Sequence, residues 1–456
     1  MTDDLVSDCE HFYRERDSRT SDYVERDYLA MPPVSVHVSA DACETQSGQL
    51  LLQTLVNQLA RIHRELRLVL AAPDVALLTP SLCGTSTLGD EIIRLARRID
   101  PFGKFALDAE PSSPDHISIG VGAHCRRDLN WYLGFDRSNA KLNTEPCRPG
   151  SNTSADLRGA GLAATLGAAA ASKAALNFET APTILSAWNF ASGAEADPGP
   201  AFLPPIDVGR GLMIGAGAVA AAAVYWLMQW GNESPWTMMD RDRIALHNTN
   251  RGLLFFPEDA GWPHGVPAPK VTRLSSYLAS TVAIDAWYDE APESRQTFDT
   301  VLVLANERDV RSIVSARNDP IQMQATTGRS WLSQLHRHIV GRDDCVRCRT
   351  ADIRSPQLAC SAAPTATNDQ PTRPDAALPF LSAASGLMLI ASLQHLQQSQ
   401  MGVGDSNMWS WDFRNTRRMA RAAHCSCRDD CSTALSSEAR GHIAKRTRWA
   451  DASWIM

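Results

Sequence analysis

Short apolar runs alternate with helix-spaced patterns along most of this chain. "VSVHVSA" reads as a strand and "HISIGVGAH" as a strand and turn. Between them, "LLLQTLVNQLARIHRELRLVL" carries apolar residues at helical spacing. "GAGLAATLGAAAASKAALN" reads as an Ala-rich packed helix. "SGAEADPGPAFLPP" then interrupts the pattern with Gly and Pro and reads as a linker. Beyond it, "RGLMIGAGAV" is a strand meeting a Gly-rich turn, and "AVAAAAVYWLMQW" is a helix. "PWTMMD", "STVAIDAW" and "TFDTVLVLAN" follow as strands, "ERDVRSIVSARND" as a helix and "IQMQATTG" as another strand. "FLSAASGLMLIASLQHLQQ" is a late apolar helix. Such alternation predicts α/β units built on doubly wound, mostly parallel sheets. The expected division is a polar N-terminal arm over 1–34, one α/β unit over 35–191, a linker over 192–206 and a second α/β unit over 207–456.

The uncharged run from Gly211 to Met228 approaches the length of a membrane span. Its early glycine pair and the polar motif just beyond it favour a buried strand followed by a buried helix. The formal charge of -7 makes no case for nucleic acid or a membrane surface as partner. The acidic start "MTDDLVSDCEHFYRER" lacks the order of a signal peptide, so a cytoplasmic, reducing compartment is expected. In that setting, eleven cysteines point away from a disulfide framework and toward metal binding or catalysis. Cys345 and Cys348 have chelating spacing; Cys425, Cys427 and Cys431 are a second, irregular group, two of which would complete a tetrahedral Zn2+ site. Which two stays open. Cys360 stands apart, at the head of the Pro/Thr-rich loop 360–379.

Gly215 and Gly217 would let the backbone approach a phosphate at a helix N-terminus. After the next strand come Asp240 and Asp242, then Asn248, Asn250 and Arg251. A carboxylate there can accept bonds from ribose hydroxyls, and the arginine can neutralise phosphate oxygens.

The stretch "DRDRIALHNTNRGLLFFPEDAGWPHGVPAPK" resembles the ATP-binding signature of the ThiF/MoeB/HesA superfamily, which includes the ubiquitin-activating enzymes. Asp240, Asp242, Asn248, Asn250 and Arg251 match at every spacing; Asp259, Gly261 and Lys270 match with extra residues before the lysine. The resemblance runs from about Asp207 to Cys431 and implies a Rossmann-like adenylation domain. It implies that Asp242 holds the ribose, that the asparagines, Arg251 and Lys270 surround the triphosphate, and that Cys360 takes the activated acyl group. The family's usual magnesium-placing aspartate is replaced by Asn306, with Asp309 one helical turn on. His336 and His338 are expected to flank the site or meet a partner rather than bind metal.

The first half lacks these motifs, yet "ISIGVG" and the Ala-rich helix resemble a degenerate, inactive adenylation-like domain. The resemblance thus implies an activating enzyme for a ubiquitin-like protein, closest to compact bacterial activators. It would use ATP, Mg2+ and Zn2+ and pass a thioester from Cys360 to a conjugating enzyme, with a homodimer left open. A sulfur-carrier adenylyltransferase, a non-catalytic nucleotide-binding scaffold and a dinucleotide oxidoreductase are the rival readings.

Overall fold

The computed structural model describes residues 3–21, 31–108, 115–305, 308–317, 319–328, 331–350, 378–398, 406–415, 419–423, 425–428, 431 and 448–449. Asn306 and Cys360 lie outside the described residues, as do the Asp309 side chain and the 360–379 loop before Leu378.

Two mostly parallel sheets form a mixed α/β, Rossmann-like architecture. The first contains β1 (Val34–Val38), β2 (Glu65–Leu70), β3 (Lys104–Leu107), β4 (Ile117–Val121), β5 (Trp131–Asp136), β6 (Asn139–Asn143) and β7 (Thr183–Ser186), in the order β3-β2-β1-β4-β5-β6-β7. The second contains β8 (Gly211–Ile214), β9 (Trp236–Met239), β10 (Thr281–Ile284), β11 (Thr300–Val303), β12 (Ile321–Gly328), β13 (Leu332–Ile339), β14 (Ser406–Asp412) and β15 (Met419–Ala423), in the order β10-β9-β8-β11-β12-β13-β14-β15. Leaving out β15, the two orders coincide. In each sheet the first five strands in order are parallel and the later ones antiparallel. The winding direction reverses between β1 and β4, and between β8 and β11, which is where open α/β sheets bind ligands.

This equivalence shows where two similar strings fall in the two windings. "ISIGVG" lies on β4, the counterpart of β11, so it does not correspond to "MIGAG" at the end of β8. The Ala-rich Asp156–Ala175 helix sits between β6 and β7, as the Pro379–Gln397 helix sits between β13 and β14. Composition resembled its neighbour; position in the winding differed. The pattern from Leu50 to Leu70 is also divided. The helix Gln46–Leu59 ends, and "ELRLVL" is β2, whose alternate residues are buried.

The helices Gln46–Leu59, Asp156–Ala175, Ala218–Trp230 and Pro379–Gln397 are almost wholly buried and share one apolar core drawn from both sheets. That explains why Ala218–Trp230 is apolar almost all round. Pro379–Gln397 is long and apolar enough to cross a membrane, yet it is completely enclosed here. Gly211–Met228 divides into β8 and the Ala218–Trp230 helix. Glycine permits the close approaches. A Cβ at Gly161 would fall 2.5 Å from the Trp226 ring, and one at Gly386 would fall 2.7 Å from Ala222. Some polar atoms in the core are paired across it. Thr54 Oγ1 lies 2.8 Å from Tyr225 Oη, and Gln229 donates to Gln53 at 3.1 Å. The Gly/Pro-rich stretch also packs on both halves. Ser192 bridges to Leu185, and the carbonyls of Pro204 and Pro205 accept from Gln394 and Gln397 at 2.7 and 2.9 Å.

Candidate nucleotide site and cysteine cluster

At the end of β8, Gly215 has φ +90, and a Cβ there would sit 2.5 Å from the Ala305 backbone nitrogen. The turn crosses so close to the end of β11 that a side chain has no room. Gly217 caps the Ala218–Trp230 helix, and a Cβ on it would meet open space. Gly217, Ala218 and Val219 line a cavity of about 320 Å³. The helix's first amides lack intrahelical acceptors, which favours an anion at this end.

The two aspartates after β9 have different tasks. Asp240 is buried and does not line the cavity. Its carboxylate accepts from Ala216 N at 2.6 Å and from Asp242 N at 2.7 Å, pinning the glycine turn to the motif. Burial raises its pKa, against the lowering effect of Lys270 and these amides. Asp242 faces the cavity, and its Oδ2 lies 2.7 Å from Lys270 Nζ.

Lys270 is held by a short two-stranded clamp. Lys270 N donates to Asp242 O at 2.9 Å, Ile244 N donates to Ala268 O at 2.9 Å, and Arg243 bridges Pro269. Asp259 lies in the 3-10 turn Pro257–Ala260, which the left-handed Gly261 ends. Asp259 accepts from Phe256 N at 2.9 Å and pairs with Arg273 at 3.0 Å, so it is structural. Asn248 and Arg251 line the cavity; Asn250 and Gly215 stand behind it, Asn250 almost fully buried. Asn248 Oδ1 also accepts from Ala245 N at 2.9 Å, closing the local turn.

Several lining residues were given no role by the sequence reading. Arg243, His247, Arg311, Thr326, Thr327 and Ser382 face the cavity, and so does Arg19 from the N-terminal arm. That arm contains the helix Asp3–Arg16, docked by Phe12 and Tyr13 against Leu246, Phe102 and Trp262. Tyr13 Oη donates to both Asp100 carboxylate oxygens at 3.1 Å, and Arg16 Nη1 meets Asp100 at 2.9 Å. Asp100 is fully buried in the first half, so the first half anchors the segment that delivers Arg19.

Among the described residues, five cationic side chains (Arg19, Arg243, Arg251, Lys270, Arg311) and one carboxylate, Asp242, thus line the cavity. His247 responds to this field. Burial, then Arg19, Arg251 and Lys270, push its pKa down to about 3, so it is neutral at pH 7. The arrangement can hold a polyanion with a hydroxyl-bearing group beside Asp242.

A second cluster lies beyond β13. Donor atoms of Cys345, Cys348, Cys427 and Cys431 all fall within 4.8 Å of one another, a set that could hold a metal ion. Cys345 N donates to Cys427 Sγ at 3.2 Å, and the Sγ atoms of Cys345 and Cys431 lie 3.7 Å apart. Cys425 is exposed and outside the cluster; its carbonyl accepts from Asp344 N at 2.8 Å. Four soft sulfur donors, with no further ligand among the described residues, fit a closed structural Zn2+ site. His336 and His338 are buried and brace this region, so they do not offer a partner surface. His336 Nε2 lies 3.3 Å from Asp344, and His338 Nδ1 lies 2.9 Å from the Asp343 carbonyl.

No protein-family model and no curated protein matches the chain. Among solved structures, E. coli MccB with AMPCPP and selenomethionine MccA is similar at 12% identity over 50% of this chain and 66% of that chain, with a TM-score of 0.37. E. coli MccB alone gives 11% identity over 50% and 65%, with a TM-score of 0.37. Selenomethionine PaaA gives 12% identity over 47% and 64%, with a TM-score of 0.32. The matched part is therefore about two thirds of each of those chains.

Proposed function

We propose that this chain activates the C-terminal carboxylate of a ubiquitin-like protein by ATP-dependent adenylation. The observation that carries the reading is the cavity itself, where, among the described residues, five cations and a helix N-terminus surround one aspartate paired to a lysine. In this reading Asp242 accepts the ribose hydroxyls. Arg251, Lys270, Arg311 and Arg19 stabilise charge on the phosphates as a carboxylate oxygen attacks the α-phosphorus and pyrophosphate leaves. Mg2+ would offset further phosphate charge, with Asn306 and Asp309 as the candidate placing residues.

The Cys360 thiolate then attacks the acyl carbon and AMP leaves, giving a thioester that passes to a conjugating enzyme. Zn2+ held by Cys345, Cys348, Cys427 and Cys431 would tie the end of β13 to the chain near Cys431, a structural role.

The first half is proposed to be an inactive counterpart. β1 ends in Ser39-Ala40-Asp41 instead of a glycine turn. Asp41 Oδ2 accepts from Ala123 N at 3.0 Å, and a Cβ at Gly122 would meet Ser39 Oγ at 2.0 Å. In this reading its own side chains take the place that a phosphate would need.

The test is pyrophosphate exchange into ATP with and without a ubiquitin-like protein bearing a free C-terminus. Partner-dependent exchange, and a reductant-labile adduct lost in Cys360→Ala, are expected. Exchange that ignores the partner and survives Lys270→Ala and Arg251→Ala would overturn the reading.

A further inference from the structure

The helix Gln46–Leu59 belongs to the first half, and just beyond its end Arg61 crosses to the second. The arginine is 1% exposed, and each of its five N–H groups is directed at an acceptor. Nε and Nη2 donate to Asn57 Oδ1 at 3.1 and 2.9 Å. Nη2 also donates to the Leu253 carbonyl at 3.0 Å. Nη1 donates to the Phe255 carbonyl at 3.0 Å and to the Thr249 carbonyl. Asn57 Nδ2 donates to the same Leu253 carbonyl at 3.1 Å. All these acceptors are neutral. Burial lowers the arginine's pKa to about 9, still leaving it charged at pH 7.

Thr249 is the residue between Asn248 and Asn250, and Arg251 follows. We infer that Arg61 is a positioning residue through which the first half holds the 249–255 backbone and so aims Asn248 and Arg251 into the cavity. The chemistry explains why an arginine is used. A connection between elements exposes carbonyls that need donors once buried. Three such carbonyls converge here, and a planar fork held by Asn57 reaches all of them in one fixed geometry. A lysine offers three donors on a flexible stem and cannot reproduce that geometry. A loop displaced by about 1 Å can lower a reaction rate by roughly 100-fold. The second half's cavity therefore depends on a residue of the first. The link to nucleotide rests on the proposed function; the link to loop geometry does not.

The full chain would be compared as wild type, Arg61→Met, Arg61→Lys, Asn57→Ala and Thr54→Val. Thr54→Val removes a contact between the halves, the one to Tyr225, at a point away from the loop. Amide exchange over residues 249–256 and ATP affinity by calorimetry are measured for each. Arg61→Met and Asn57→Ala should speed exchange in that segment by about tenfold or more. They should weaken ATP binding by a similar factor, and Arg61→Lys should not rescue it. Thr54→Val should lower the melting temperature while leaving both readouts unchanged. Should Arg61→Met fail to fold, Asn57→Ala, which keeps the charge, decides the matter. Wild-type exchange rates and affinity in the folded variants would overturn the inference. A wild type that exchanges as expected but binds no ATP would overturn the nucleotide reading alone, and exchange would still decide for or against Arg61.

Discussion

Lys270 Nζ lies 2.7 Å from Asp242 Oδ2, and the backbone nitrogen of the same lysine donates to the Asp242 carbonyl at 2.9 Å. Two residues far apart in sequence are thus joined through both side chain and backbone. The lysine is mostly buried, while the aspartate side chain is about a third exposed, at 33%. In the proposed function this pair is a poised charge. A phosphate draws the ammonium away and leaves the carboxylate to accept from ribose.

Lys270→Met should lower partner-dependent pyrophosphate exchange by about 100-fold or more, because it removes a charge placed against the phosphates. Asp242→Asn should weaken ATP binding and narrow the preference for ATP over 2′,3′-dideoxy-ATP. Calorimetry with both nucleotides checks this. A preference unchanged from wild type would remove Asp242 from the ribose.

Arg19→Ala should lower exchange by about 10-fold or more with little change in melting temperature, since the side chain faces the cavity. Asp100→Ala should lower both. It leaves Arg16 without one of its two carboxylates, and breaking a buried pair costs about 3–5 kcal/mol. Exchange and thermal melting of the two variants separate the roles.

Replacing Cys345, Cys348, Cys427 or Cys431 by serine should each reduce bound zinc below one per chain, measured by elemental analysis. Cys425→Ser should leave it unchanged, since Cys425 is exposed and outside the cluster. Such sites contribute roughly 10 kcal/mol or more to folding in small metal domains, so the four variants should also be prone to unfold. Zinc lost from Cys425→Ser, or retained by all four others, would contradict the assignment.

Stability should fall as pH drops from 7 toward 4. Burial pushes His63 to about 4 and His395 to about 3. Below the ordinary histidine value the unfolded chain therefore binds protons that the folded chain refuses. The loss begins near pH 6.5 and continues to the folded values. Between pH 7 and 5 it amounts to about 1–2 kcal/mol for each histidine. Urea denaturation across this range measures it, and His395→Leu should flatten the slope.

The period of the apolar positions determined the class of fold. Strands β1, β4, β8, β9, β10, β11 and β12 and the buried helices were legible because each repeats a local pattern. The motif from Asp240 to Arg251 was legible for the same reason. Asp240 through Arg251 lie on one continuous segment, and spacing along a chain is a property of sequence. Tertiary structure decided what depends on distant segments meeting. Arg19 has no local signature; it enters the cavity because Tyr13 and Arg16 find a buried Asp100 in the first half. Arg61 reads as one more charge near a helix end, and only the three carbonyls it meets from the other half give it a task. Cys425, Cys427 and Cys431 were indistinguishable by spacing, and the fold separated them because four donors around one point require convergence in space. Likewise, "IGVG" and "IGAG" are alike as strings, yet they end strands at different places in the winding, because strand order is set by how elements pack and not by the residues of any single turn.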